Sequence, residues 1–487
     1  MLRSHLLSLL AGLSLVLTAC AAPPGGALTA SAPTASLTAG PTPTALPTRL
    51  AYNPGQLVDY TAQTGDTLPA LAAHFNTSVA EIRAANPQVP ADATTMPPGM
   101  PMKIPIYYQP FWGTTFKILP DSLYVNGPAA VGFDTAGFVS SHAGWLKAYV
   151  GYVGGQNRSG AEMVDYVATN YSISPRLLLA LLEYQTGALS ESTPPAGDYA
   201  LGQVDYNYAG TYLQLVWAAG MLNAGYYGWR TGRLTSFEHV DGTVERPDPW
   251  QNAASVALQY YFSLHLSAAD YARAVGPDGL AATYARLFGD PWQNVSTLIP
   301  VSLQQPEFSF PFLDGQTWAF TGGPHTGWGS PTLDPLSAVD FAPPAVVGGC
   351  TPTNLPAVAM ADGVVVRSQT GVVILDLDGD GDERTGWDIL YLHIATVGRV
   401  PVGTVLHRGD PVGFPSCEGG EATGTHVHVA RKYNGEWIPA AGPLAFDFEG
   451  WIVSNGPAAY QGTLRRGTQV VQACVCSTAS SQVTAGK

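Results

Sequence analysis

Four histidines and one aspartate, spread over four segments of this 487-residue chain, have the types and spacing to hold a metal ion and move protons beside it. In Gly424-Thr425-His426-Val427-His428-Val429 the flanking Val, Thr and Ala read as a strand. The strand period of two then places both imidazoles on one face. One ring nitrogen could bind a metal while the other imidazole stays free nearby. Alone, an H-x-H is a weak signal. Earlier come a loop histidine, His325 in Gly322-Gly323-Pro324-His325-Thr326-Gly327, and a strand-borne carboxylate, Asp340 in Ser337-Ala338-Val339-Asp340-Phe341-Ala342. With His428 they supply two nitrogens and one oxygen, the donor set of a zinc site whose fourth position stays open for water. His393 lies inside an apolar strand, Ile389-Leu390-Tyr391-Leu392-His393-Ile394. By itself it reads as a satisfied core histidine.

Side chains so far apart in sequence need a rigid frame. The runs Ala359–Val366 and Gly403–Gly413 read as strands and turns of one antiparallel β core, so a β domain is expected over 305–455, followed by a tail at 456–487. Over roughly 315–442 this order of an H-x(n)-D pair, a Tyr-x-His strand and a final H-x-H resembles the lysostaphin-type (LytM-like) zinc metallopeptidases. The resemblance implies His325, Asp340 and His428 as zinc ligands and His393 and His426 as catalytic histidines. One of these two would take a proton from water while the other stabilises the tetrahedral oxyanion; the sequence does not assign which. Fourteen residues separate His325 from Asp340, more than most of the family keeps, and this longer gap resembles the beta-lytic or staphylolysin branch. It leaves Asp334 as a rival ligand. Asp340 is preferred for its Asp-Phe-Ala setting and because Pro335 interrupts the segment around Asp334.

Between two strand-like runs, Asp376-Leu377-Asp378-Gly379-Asp380-Gly381-Asp382-Glu383 opens like a calcium loop, since alternating carboxylates can converge on a hard cation. Its twelfth position is Trp387 where Glu is expected. Calcium held by Asp376, Asp378 and Asp380 therefore stands beside an acidic solvated hairpin turn as the alternative.

Residues 56–107 read as a small βααβ unit. Thr67 is a candidate N-cap, Leu68, Leu71, Ala72 and Phe75 recur at helical spacing, and Met102-Lys103-Ile104-Pro105 closes the segment as a strand. With Gly65-Asp66-Thr67 early, Asn86 in the middle and Pro97-Pro98-Gly99 late, the unit resembles a LysM module. That resemblance implies binding of N-acetylglucosamine-containing glycan through Gly65, Asp66 and Thr67 and through Pro98 and Gly99. Residues 108–160 are rich in aromatics and glycine without clean periodicity and read as a connector. From 161 to 300 the pattern is helical. There, Ser174–Gly187 faintly resembles the first helix of lysozyme-like transglycosylases, but Gln185 stands where an acid is needed, and a helical spacer or a degenerate glycan-binding domain is the better reading.

At the N-terminus, Arg3 precedes an apolar run at 6–17 that is too short to span a bilayer. It ends in Leu17-Thr18-Ala19-Cys20, which resembles the bacterial lipobox and implies a signal peptide at 1–20 with lipid on Cys20. Residues 21–55, rich in Ala, Pro and Thr, cannot bury a core and read as a tether. In that oxidising setting the four remaining cysteines are expected to pair. Cys474 and Cys476 would point to opposite faces of a strand, which leaves a Cys350–Cys417 disulfide as the expected bond.

Composition agrees with an extracytoplasmic, multidomain chain. Hydrophobic residues at 46% suffice for packed cores, whereas 40 prolines and 54 glycines require many turns. A net charge of −14 argues against nucleic acid as a partner. The fold class expected is a βααβ module, a mostly α-helical middle domain and an antiparallel all-β domain. The resemblances together imply a zinc endopeptidase acting on peptidoglycan and held to the membrane by lipid. A non-catalytic wall-binding lipoprotein and a secreted protease acting on glycine-rich proteins are the competing readings. Oligomeric state, and which peptide bond is cut, are not encoded in any motif.

Overall fold

The computed structural model describes residues 52–107, 109–110, 112–293, 295–345 and 347–486. The signal segment, Cys20 and nearly all of the tether lie outside them. Among the described residues no helix is long and apolar enough to cross a membrane.

The first unit follows the βααβ order: β1 (Gln56–Thr61), α1 (Leu68–His74), α2 (Val79–Ala85) and β2 (Pro101–Ile106), with the strands antiparallel. Thr67 caps α1 by accepting from the Ala70 amide, and Ser78 with Glu81 forms a capping box on α2. Buried Asn86 joins helix to strand, donating to the carbonyls of Ile82 and Lys103 while its Oδ1 accepts from the Lys103 amide.

The middle region is built on helices Gly160–Tyr171, Pro175–Thr186, Thr211–Arg230, Ala253–Ser263 and Leu280–Phe288. Leu177 through Leu182 are all buried, so the central helix is covered on every side. Ile118, Leu119, Tyr124 and Trp145, from the stretch read as a connector, share the same core and make it continuous with the helices.

The β domain is a nine-stranded sheet of antiparallel pairs. Its central neighbours are Trp387–Ile394, Val427–Tyr433, Leu336–Ala342 and Thr317–Thr326, in that order. Strand periodicity divides the two faces. Val339, Phe341, Ile389, Tyr391, Val427 and Val429 fill the domain's own core, whereas Ala338, Leu390, Leu392 and Ala430 face the helical region. Residues 456–487, read as a tail, contribute strands, and Gln482–Thr484 pairs with Thr317–Thr326 at the sheet edge.

Cys350 and Cys417 are bonded, as expected. The expectation for the other two cysteines is corrected, because Cys474 and Cys476 are bonded to each other. They lie past the strand Gln469–Gln472 in a bend, where the alternation that would separate i and i+2 side chains no longer holds.

Candidate metal centre

His428 and Asp340 are directly opposed on neighbouring antiparallel strands, so their side chains leave the same face of the sheet. His325 reaches that face from the next strand. The sequence reading gave it to a loop; the structure places it near the end of Thr317–Thr326, where the pairing with Leu336–Ala342 shifts register on both sides of His325. Gly322 makes room, since a Cβ there would lie 2.7 Å from Asp340 Oδ2 and from the Tyr460 ring.

The donor atoms of His325, Asp340 and His428 all lie within 4.8 Å of one another, and all three side chains are buried. Oδ1 of Asp340 is 2.9 Å from His325 Nε2 and 3.4 Å from His428 Nδ1. His428 Nε2 lies 3.2 Å from the Gly327 carbonyl, which can only accept, so Nε2 carries the proton and Nδ1 turns a lone pair toward Asp340. Burial holds His428 below the ordinary histidine range, which keeps it neutral. A lone pair and a carboxylate facing each other in a dry site need a cation between them. His325 Nε2 and Asp340 Oδ1 are also buried without a hydrogen-bond partner. Burial alone would raise the Asp340 carboxyl, but the imidazoles around it, His325 foremost, outweigh that and hold the group well below the usual range. The residues fit zinc: two nitrogens, one oxygen, and a backbone carbonyl fixing a ligand's tautomer.

His393 and His426 sit beside this cluster with ring centroids 4.5 Å apart. His393 Nδ1 donates to the Glu418 carbonyl at 2.9 Å and His426 Nδ1 to the Gly424 carbonyl at 2.8 Å, so each presents a bare Nε2. Burial, reinforced by the neighbouring His426 and His428 imidazoles, pushes His393 down to about 3. Asp334, the rival ligand, pairs instead with Arg233.

One residue at the centre carried no signal in the sequence. The Tyr460 ring stacks on His325 with centroids 4.1 Å apart and planes 13° off parallel. It comes from a small-residue stretch, Gly456-Pro457-Ala458-Ala459-Tyr460-Gln461-Gly462, that no spacing rule links to the histidines. The amides of Tyr460 and Gly462 donate to the carbonyls of Pro324 and Gly323 and fasten that stretch to the strand bearing His325.

The acidic loop is brought together, with Asp376, Asp378 and Asp380 within 4.8 Å of one another. Its oxygens are engaged locally, however. Asp376 accepts from the amides of Asp378, Gly379 and Gly381, and Asp380 accepts from Asp382 and Thr385. That is an acidic turn holding itself, and calcium gains no support. In the helical region Glu183 accepts from the Leu189 amide and pairs with Arg286, while Gln185 bonds Tyr261 and His265. Both side chains serve packing there.

In the first unit Gly65 and Asp66 are buried, Thr67 is half-buried, and Pro98 and Gly99 lie on the opposite loop. The Met96 amide donates to the Asp66 carbonyl and ties the two loops together. The Asp66 carboxylate accepts from Tyr60 and the Gln63 amide, and burial raises its pKa to about 6.

Comparison with known proteins agrees with these parts. Residues 60–105 match the LysM domain, and residues 117–302 match the family described as LasA, N-terminal domain. Two relatives from Pseudomonas aeruginosa, each called Protease LasA, are 25% and 26% identical over 370 and 374 residues, covering 72% of this chain and 80% of theirs. Among solved structures, the M23 metalloprotease pseudoalterin from the deep sea is 22% identical, covering 35% of this chain and 96% of its own, with a TM-score of 0.27. The catalytic domain of lysostaphin from Staphylococcus simulans is 19% identical, covering 26% and 89%, with a TM-score of 0.17. The two family matches and the LasA relatives uphold the resemblance drawn from the sequence, to a LytM-like zinc peptidase carrying a LysM module.

Proposed function

We propose that this chain is a zinc metalloendopeptidase that hydrolyses peptide bonds in bacterial peptidoglycan, is concentrated on wall glycan by its LysM module, and works outside the cytoplasm, anchored by lipid on Cys20. The observation that carries the proposal is the convergence of His325, Asp340 and His428 within 4.8 Å, with the bare Nε2 atoms of His393 and His426 alongside.

Bound zinc supplies Lewis acidity at the scissile carbonyl and lowers the pKa of water toward ~7. The chain's own residues supply the rest. Asp340 offsets positive charge in the site, and Gly327 holds His428 in the ligating tautomer. His393, neutral and turned by Glu418, and His426, turned by Gly424, each offer an Nε2 that can take a proton from the attacking water. The imidazolium so formed then donates to the oxyanion or the leaving amine. The LasA relatives are proteases by name, and the LysM match supports wall glycan as the surface on which peptide is presented.

The test is digestion of defined peptidoglycans, with identification of the new amino-terminal residue released, run beside soluble glycine-rich proteins. Release from walls alone supports the proposal. Release from soluble protein alone would replace it with a general secreted protease. A protein that binds walls, holds zinc and releases nothing would be the non-catalytic lipoprotein.

A further inference from the structure

The threonines that flank the LysM loops assigned to glycan already hold something. Residues 299–303, which join the helical region to the β domain, are bonded to Thr64, Thr94 and Thr95. The Ile299 amide is 2.9 Å from Thr64 Oγ1, and the same hydroxyl is 3.2 Å from the Ile299 carbonyl. Thr95 Oγ1 donates to the Pro300 carbonyl at 2.8 Å. The Ser302 amide donates to the Thr95 carbonyl at 3.2 Å, and the Leu303 amide lies 3.3 Å from Thr95 Oγ1. Thr94 Oγ1 donates to the Leu303 carbonyl at 2.8 Å. Ile299 and Leu303 are 2% and 6% exposed, while Val301 between them is 53% exposed, so alternate side chains anchor the segment. The Arg230 guanidinium packs over Gly65 and donates to the Thr64 carbonyl, closing the loop from the helical side. Asp121 and Glu436 balance its charge.

The groups turned toward this segment are three threonine hydroxyls and the Thr95 carbonyl. They recognise peptide units, each one N–H beside one C=O. An acetamido group on a sugar carries that same donor and acceptor pair. The segment therefore satisfies the loops with the chemistry an N-acetylated amino sugar would bring, and the two cannot occupy the same hydroxyls together. A cavity of about 270 Å³ bordered by Gly65, Thr67, Thr95, Ile299 and Trp437 adjoins the segment.

We propose that residues 299–303 are an internal occupant of the LysM groove, displaced when an N-acetylated amino-sugar polymer binds. The inference rests on the reading of the LysM module as a glycan binder and adds to it a competition within the chain. Glycan binding then frees the connection between the helical and β domains, and apparent affinity for glycan is reduced by the fraction of molecules whose groove is filled.

Two measurements on the full chain test this, with N-acetylchitohexaose as the probe. In wild-type protein, saturating oligosaccharide should expose 299–303 to limited proteolysis, which needs no substitution. In Ile299→Asn/Leu303→Asn, which weakens the two anchors but leaves the Thr64, Thr94 and Thr95 side chains intact, calorimetry should show binding tightened by about 10-fold. Equal binding by both chains, with 299–303 protected whether or not sugar is present, would overturn the competition and leave glycan binding standing. No binding by either chain would overturn the glycan reading itself, and the competition with it.

Discussion

Asp340 and His428 face each other across the central ladder of the sheet, with Oδ1 3.4 Å from Nδ1 and no proton available on that nitrogen. Asp340→Asn keeps the shape of the side chain and removes its charge. Zinc affinity, measured by competition with a chromophoric chelator, should fall by more than about 100-fold, since even residues behind the ligands are worth 10–100-fold. Hydrolysis should fall with it.

His426→Ala and His393→Ala test a different role. Neither imidazole belongs to the three-donor cluster, so each variant should keep its zinc. Turnover should drop by ~10²–10⁴, the usual range for losing a general acid or base. Loss of metal from His426→Ala would mean that it exchanges roles with His428.

Period-two spacing was enough to put His426 and His428 near one face, and capping residues with apolar spacing were enough to outline the βααβ unit. The opposition of Asp340 to His428 was not visible, because register between strands far apart in sequence is set by tertiary pairing. His325 looked like a loop residue because Gly322, Gly323 and Pro324 precede it; the strand instead absorbs them as register shifts. Cys474 and Cys476 can pair because the chain bends there, where a strand would have turned them to opposite faces. Tyr460 could not be foreseen, since its place depends on how residues 456–462 dock on Gly323 and Pro324.

Glu383 gives a pH dependence. It is bonded to Arg367 Nε and Nη2, each at 2.9 Å, and to Lys432 Nζ at 2.8 Å. Burial alone would raise its carboxyl, but the two cations more than offset this and set it at about 2, below the ordinary 4.5. A depressed carboxyl stabilises the fold fully above 4.5, and this contribution is lost as pH falls through 4.5 toward 2. The shift is worth about 3 kcal/mol. Denaturant unfolding should show Glu383→Gln less stable by that order at pH 7. The gap from wild type should close as pH is lowered across that window, and a gap that persists at the acid end would refute the assignment.

The Cys350–Cys417 bond closes a 67-residue separation and sits beside the site. Glu418, next to Cys417, supplies the carbonyl that orients His393, and Gly349, next to Cys350, accepts from the Thr425 amide beside His426. Cys350→Ser/Cys417→Ser should lose up to about 4 kcal/mol by loop-closure entropy. It should keep its zinc and turn over more slowly. Unchanged kcat with lowered stability would confine the bond to the fold.

Tyr460 is the least expected member of the site, and its test separates support from chemistry. The ring lies flat on His325, and burial followed by the nearby Asp340 charge raises its phenol, so the hydroxyl stays protonated and able to donate. Tyr460→Phe keeps the stacked ring and removes only the hydroxyl; Tyr460→Ala removes both. If the ring alone matters, Phe should behave as wild type while Ala loses zinc affinity through a loosened His325. If the hydroxyl donates to charge developing on the scissile carbonyl, Phe should hold zinc normally, leave KM nearly unchanged and lower kcat by about 10²–10³, as removal of one oxyanion donor does. The second outcome is the one expected, because the raised phenol keeps its proton beside the Asp340 charge.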